Sequence, residues 1–236
     1  MLYIVPTPIG NLGDITYRAV EVLSTVDLIL AEDTRVTKRL LDKYEIKTPL
    51  KSYHAFNEHQ ATQHILEELK SGKNIALVSD AGTPGISDPG FLLARACREA
   101  NEELTVLPGP TAFVPALVGS GFPCDRFHFE GFLPHKKGRQ TKWKHLAEIE
   151  STIVLYESPF RIIKCLEEIN SFLGEERKVC VVREISKIHE SFHYGTANDL
   201  IAAFNKKPET LKGEIVIIIA PKADGKGLRA ESSEEP

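Results

Sequence analysis

"VSDAGTPGISDPG", residues 78–90, places three glycines, two prolines and two aspartates between an apolar run, "NIALV" (74–78), and an amphipathic one, "FLLARACREA" (91–100). A short run of strand-forming residues, a Gly/Pro loop and then a helical period make the strand–loop–helix unit of an α/β sheet. The same plan recurs at "PTPIGNLGD" (6–14) and at "PGPT" (108–111). In open α/β sheets such loops stand at the carboxyl ends of parallel strands, where ligands bind at topological switch points. Three converging loops therefore predict a pocket in the first half of the chain.

Working outward, the alternation covers nearly the whole chain. Strands are expected at 2–6, 27–31, 75–79, 104–107, 127–132, 152–156, 178–184 and 214–220. Helices are expected at 15–25, 35–43, 58–71, 90–100, 111–119, 139–149, 160–172 and 197–205. The fold class is α/β, with each half a mostly parallel or mixed sheet flanked by helices. "PALVGSGFPCDR" (115–126), with its glycines and prolines, reads as a linker between the halves. The expected domains are 1–117 and 118–222, and the polar stretch 223–236 is expected to be a disordered tail.

With 236 residues, 42% of them hydrophobic, the chain can bury a sizeable core. It contains no apolar run of eighteen residues and does not open on a signal-peptide pattern, so a soluble, cytoplasmic protein with no membrane partner is expected. The four cysteines, Cys97, Cys124, Cys165 and Cys180, are widely spaced and read as buried thiols. A net charge of -4 gives no global attraction for nucleic acid, but "PHKKGRQTKWKHLA" (134–147) holds five basic residues and no acid. That stretch suits either a solvated helix face or a phosphate track.

The loops lack a Walker A ending and a true GxGxxG, and their prolines withdraw the N–H donors that a phosphate needs. Asp80 and Asp88 add negative charge, so carbonyls and carboxylates favour a cationic or hydroxyl-rich ligand, or else simply cap turns. "HESFH" (189–193) matches the zinc-protease pattern HExxH, whose chemistry requires a helix. Here the pattern follows "KVCVVREI" and runs into Gly195, which predicts an edge strand or hairpin; no metal is expected.

Taken together, "VPTPIGNLGDITYRA" (5–19), "AEDTR" (31–35), "SDAGTPGISDPG" (79–90), "PGPTA" (108–112), "FEGFLP" (129–134), "YESPFR" (156–161), "REISKIHE" (183–190) and "GEIVIII" (213–219) resemble the tetrapyrrole methylase superfamily. Within it they resemble the branch that methylates a ribose 2'-hydroxyl in bacterial small-subunit ribosomal RNA. The resemblance implies two α/β domains, S-adenosyl-L-methionine as methyl donor in a cleft between them, and a homodimer. It also implies a cytidine ribose of the 16S decoding region as target, in RNA expected to be met within the small ribosomal subunit. A small-molecule tetrapyrrole methyltransferase is the alternative, and a zinc hydrolase using "HESFH" is the reading from outside the family.

By this resemblance the cofactor lies against Pro8, Asp80, Ala81, Gly82, Thr83, Ile86, Asp88, Thr111 and Ala112, with Phe132 and Tyr156 from the second domain. Its sulfonium and ribose diol, without phosphate, agree with the loop chemistry. At 82–84 this chain has "GTP" where the superfamily usually has Gly-Asp-Pro, so Thr83 departs from the pattern. Methyl transfer to a hydroxyl needs alignment and a late proton acceptor, with polar candidates at Glu32, Asp33, Arg35, Glu157, Arg161, Arg183, Glu184 and Lys187. Glu157, at a strand's carboxyl end, is the first choice of base; Arg35, Arg161 and Arg183 would grip phosphates, with Lys187 beside them. Lys136, Lys137, Arg139, Lys142 and Lys144 form the expected RNA track, with Trp143 stacking on a base or anchoring the helix. Tyr53, His54, Phe56 and Asn57 suit either a splayed-out base or the core.

Overall fold

The computed structural model describes residues 1–207 and 211–222; the expected tail at 223–236 lies outside the described residues. The chain divides into two compact units, Met1–Ala112 and a second beginning at Phe113. The division falls ahead of the expected 117/118 boundary because the helix Phe113–Gly119 packs on the last strand of the second unit.

In the first unit, β1 (Leu2–Ile4), β2 (Leu28–Ala31), β3 (Leu50–Ser52), β4 (Ile75–Val78) and β5 (Leu104–Val106) form a five-stranded parallel sheet in the order β3-β2-β4-β1-β5. Every residue of β4 is buried, as a central parallel strand covered on both faces requires. The helices are α1 (Tyr17–Thr25), α2 (Thr34–Lys43), α3 (Glu58–Lys70) and α4 (Phe91–Glu99). Two caps foreseeable from residue type start the first pair: Thr16 accepts the Ala19 N–H, and Asp33 accepts the Arg35 N–H.

Ala19, Leu23 and Leu41 of α1 and α2 join one core, while Ile65, Leu66, Leu69, Leu93 and Cys97 of α3 and α4 join another. The two helix pairs thus cover opposite faces of the sheet. Neighbouring strands β1 and β4 send their chains to opposite faces, which makes their carboxyl ends the switch point of this sheet.

The second unit comprises α5 (Phe113–Gly119), β6 (Phe127–Phe132), α6 (Arg139–Leu146), β7 (Thr152–Glu157), α7 (Ile162–Leu173), β8 (Lys178–Arg183), β9 (Ser191–Thr196), α8 (Ala197–Lys206) and β10 (Ile215–Ile219). Its sheet, β6-β7-β10-β8-β9, is mixed: β6 and β7 are parallel, and every other pair is antiparallel. Alternate residues of β7, β8 and β10, among them Ile153, Leu155, Val179, Val181, Ile215 and Ile217, pack with Trp143, Leu166, Ile169, Leu200 and Phe204 from α6, α7 and α8. Trp143 is fully buried and stacks on Phe172, so it anchors α6 rather than meeting a base.

Two strands escape the periodicity. β3 reads "LKS", too short for a pattern, and is specified by its pairing with β2. β9 carries "HESFH": Ser191 to His193 pair antiparallel with β8 at the sheet edge, and His189 lies in the preceding turn. The helix that zinc-protease chemistry needs is therefore replaced by a strand. Among the described residues no helix is long and apolar enough to cross a membrane. Cys97, Cys165 and Cys180 are buried, whereas Cys124 is exposed, because it sits in the polar connection before β6 and outside any apolar run.

Candidate functional site

At the switch point of the first unit the three Gly/Pro loops are physically joined. Thr7 and Gly82 exchange both backbone hydrogen bonds at 2.9 Å, an isolated antiparallel bridge between the loops after β1 and β4. The Thr7 hydroxyl donates to the Ser79 carbonyl at 3.0 Å, and the Thr83 hydroxyl donates to the Pro110 carbonyl at 3.2 Å, tying in the loop after β5. Thr83, the departure from the superfamily pattern, thus acts as a strut between loops.

Glycine is required where those loops meet. A Cβ on Gly109 would lie 2.7 Å from Pro6 Cβ, and one on Gly90, at φ +134°, would lie 2.8 Å from Leu77 Cδ2. Around this junction Pro8 and Gly82 are buried, Asp88, Thr111 and Ala112 half-buried, and Asp80, Ala81 and Ile86 exposed. One cluster of loops therefore brings together all nine first-unit residues expected to hold the cofactor.

No lysine or arginine lies in 6–14, 79–90 or 108–111, while carboxylates converge. Asp80 accepts the Asp33 backbone N–H at 2.9 Å. Burial, then the charge of Asp80, pushes the Glu32 carboxyl above the usual range. Burial, followed by the charges of Glu32 and Asp80, raises Asp88 to about 6. This set of groups fits S-adenosylmethionine: carboxylates and carbonyls complement a sulfonium and a ribose diol, whereas a phosphate would face carboxylates with no basic side chain to offset them.

Asp33 caps α2 and pairs with Arg35 at 2.6 Å, and this partner holds its carboxyl down at about 2. Arg35 stays solvent-facing despite that pair, with its side chain 85% exposed. Nearby, Tyr53 is in the core with its hydroxyl against Thr62 Oγ1, and the Asn57 side chain accepts the His54 N–H at 2.8 Å and donates to the Ser52 carbonyl. Only Phe56 of that group is fully presented to solvent.

In the second unit, a β-bulge at Glu130 shifts the register of β6, so that Phe129 pairs with Val154 and Phe132 with Tyr156. Strict alternation would separate the two phenylalanines; the extra residue lets both pack against Tyr156, at centroid distances of 5.3 and 5.5 Å. Phe132 is half exposed, and Tyr156 is partly buried.

Glu157, the expected base, is 2% exposed, and both of its carboxylate oxygens are occupied. One accepts from Arg161 and from the Ser158 N–H, each at 2.7 Å; the other accepts from Arg139 at 3.2 Å. Two guanidinium groups and a backbone N–H thus hold this carboxylate in place, which makes it a positioning element. Arg139 is likewise not on the surface. Its side chain is 4% exposed, grips Glu168 through three contacts of 2.6–3.0 Å and donates to the Pro134 carbonyl at 3.1 Å. It clamps α6 onto β7 and α7 and leaves the expected RNA track.

Lys142, itself exposed, pairs with Glu130 at 2.7 Å, and Lys136, Lys137 and Lys144 are exposed as well. Arg183 donates to the Lys212 and His189 carbonyls at 2.6 and 3.1 Å, and Lys187 pairs with Glu184 at 2.9 Å and Glu214 at 3.4 Å. Both fasten the 184–190 turn. Arg161, its side chain one-fifth exposed, also reaches the His135 ring at 2.6 Å. Glu168 and His135 were not legible as partners because they lie 29 and 26 residues from the arginines they meet.

Comparison with known proteins agrees with this arrangement. A family model described as Tetrapyrrole (Corrin/Porphyrin) Methylases matches residues 1–201. The chain is 54% identical over 221 residues to a Synechocystis protein named ribosomal RNA small subunit methyltransferase I, covering 93% of this chain and 78% of that one. A protein of the same name from Escherichia coli O157:H7 is 48% identical over 233 residues, covering 98% of this chain and 82% of the other. Among solved structures, a cobalamin biosynthetic enzyme, cobalt precorrin-4 methyltransferase, superposes with a TM-score of 0.68 at 20% identity, covering 93% and 94% of the two chains.

Proposed function

The chain belongs to the tetrapyrrole methylases, and from that premise we infer that it transfers the methyl group of S-adenosylmethionine to small-subunit ribosomal RNA. The acceptor in this reading is the 2'-hydroxyl of a cytidine ribose in the 16S decoding region. The enzyme works in the cytoplasm as a homodimer, on RNA within a small ribosomal subunit. The relatives that support an RNA substrate carry that substrate class in their names and share about half their residues with this chain. The single structural observation that carries the cofactor assignment is the loop junction at the switch point, free of basic residues and bearing Asp80 and Asp88.

When bound, S-adenosylmethionine supplies an activated methyl group on a positively charged sulfur. The protein's own residues bind and orient. Gly82 and Gly109 let the loops close together, the Thr7–Gly82 bridge and Thr83 fix their spacing, and Asp80 and Asp88 supply negative charge to a cation and acceptors to a diol. Burial, with the charges of Glu32 and Asp80, raises Asp88 to about 6, a proton affinity that suits a late proton acceptor. On the second unit, Arg161, held by buried Glu157, and exposed Lys136, Lys137 and Lys144 supply cations for the RNA backbone.

The test is transfer of radiolabelled methyl from S-adenosylmethionine to small ribosomal subunits, followed by nuclease mapping. Label in one 2'-O-methylated cytidine of 16S RNA is expected. Label appearing in a porphyrinogen, with none in RNA, would overturn the reading.

A further inference from the structure

At the carboxyl ends of the parallel neighbours β6 and β7, the second unit opens a cavity of about 750 Å³. Its lining includes Phe132, His135, Ser158, Phe160 and Arg161. Phe160 is 96% exposed although it belongs to a well-built turn: the Arg161 N–H bonds the Ser158 carbonyl at 2.9 Å, and the Phe160 N–H reaches Ser158 Oγ at 3.4 Å. That turn presents an aromatic face to solvent at the mouth of a cavity, where it contributes nothing to the core.

The surroundings specify what the face meets. Arg161 is anchored through Nε to Glu157, and its Nη1 contacts the His135 ring, so a planar cation and an imidazole stand beside the phenyl ring. Arg139 and Arg161 answer the charges of Glu157 and Glu168, so that network is neutral, and the surplus positive charge beside the cavity comes from exposed Lys136 and Lys137, which follow His135 in the chain. The rim is therefore positive while the walls are apolar. A ligand complementary to both has a flat π face with a negative charge one sugar away, which is the chemistry of an unpaired nucleotide. An apolar peptide would match the walls and leave the cations unanswered.

We propose that this cavity receives an unpaired base of the RNA substrate, which stacks on Phe160 while Arg161 and His135 meet its sugar-phosphate. The proposal rests on the RNA reading above and names the site on this chain that would read a splayed-out nucleotide. Phe160 stands as a binding residue, and Arg139 and Glu157 as the positioning residues that aim Arg161.

The experiment compares wild type, Phe160→Ala and Phe160→Trp in binding a single-stranded oligoribonucleotide of 16S sequence carrying 2-aminopurine at successive positions. Cofactor affinity and thermal unfolding are measured alongside. Base–aromatic stacking implies that Phe160→Ala weakens RNA binding roughly 5- to 150-fold and abolishes fluorescence quenching at one position. Phe160→Trp restores both, and cofactor affinity and Tm stay at wild-type values because the side chain is exposed. RNA affinity within twofold of wild type in Phe160→Ala, or a parallel loss of cofactor binding, overturns the proposal. So does normal RNA binding accompanied by lost association with a small-subunit protein, which would give the cavity to a protein partner. If wild type transfers methyl to RNA and Phe160→Ala behaves identically, the cavity assignment alone falls; if wild type transfers none, the RNA reading itself falls.

Discussion

Replacing Arg139 by methionine separates an interior clamp from a surface phosphate contact. The guanidinium serves three acceptors: Glu168 at 2.6–3.0 Å, Glu157 at 3.2 Å and the Pro134 carbonyl at 3.1 Å. Breaking a buried ion pair by removing one partner costs about 3–5 kcal/mol. Here the cost falls at the lower end, about 3 kcal/mol, because Glu157 keeps Arg161 and the Ser158 N–H, and Glu168, 17% exposed, can draw in water. Methionine fills most of the volume, so little of the loss comes from a cavity. Urea unfolding should report the deficit directly, and Tm should drop by roughly 6–12 °C for a chain of this size. In Arg139→Met/Glu168→Leu, where both charges go, most of the loss should return, since apolar pairs replace buried ion pairs at little cost. If Arg139→Met unfolds within about 0.5 kcal/mol of wild type while losing RNA affinity, the clamp is wrong and Arg139 belongs to the phosphate track.

The other predictions follow from the same geometry. Asp88, raised from the ordinary 3.8 to about 6 in the folded protein, binds its proton more tightly folded than unfolded, so its contribution is fully present below pH 3.8 and is lost as pH rises through 6. A shift of that size corresponds to about 3 kcal/mol, reduced to about 1 by solvent screening of a half-exposed group. Asp88→Asn should therefore be more stable than wild type at pH 7.5 and equal to it at pH 4, measured by denaturant titration at both; a constant difference would refute the shift. Gly109→Ala, whose Cβ would meet Pro6 at 2.7 Å, should lose about 1–3 kcal/mol of stability and weaken cofactor binding by calorimetry, with wild-type values for both counting against the junction. Lys136→Glu/Lys137→Glu should weaken RNA binding and flatten its salt dependence while leaving cofactor affinity and Tm unchanged; equal losses of RNA and cofactor affinity would remove these lysines from the track.

Local patterns account for a large part of this protein. Strands such as β4 and β7 are apolar runs whose burial is written in their own residues, α1 and α2 begin at Thr16 and Asp33 because those side chains cap, and the cation-free Gly/Pro loops argue against a phosphate cradle from composition alone. The edge strand β3 was harder, since short, half-exposed strands carry little periodicity and take their conformation from the neighbour they pair with, whereas β9 was expected as an edge strand because "HESFH" follows a strand and runs into Gly195.

The roles of charged residues depended on the tertiary structure. Arg139 sits among exposed lysines in sequence, yet it turns inward because Glu168 and Glu157, 29 and 18 residues away, offer it buried acceptors. Glu157 looked free at a strand end, yet it is consumed by the two arginines it orients. The bulge at Glu130 decides which face Phe132 joins. Backbone preference and hydrophobic period act over a few residues and are legible in order along the chain; the partner of a buried charge is chosen by proximity in space, which only the folded sheet establishes.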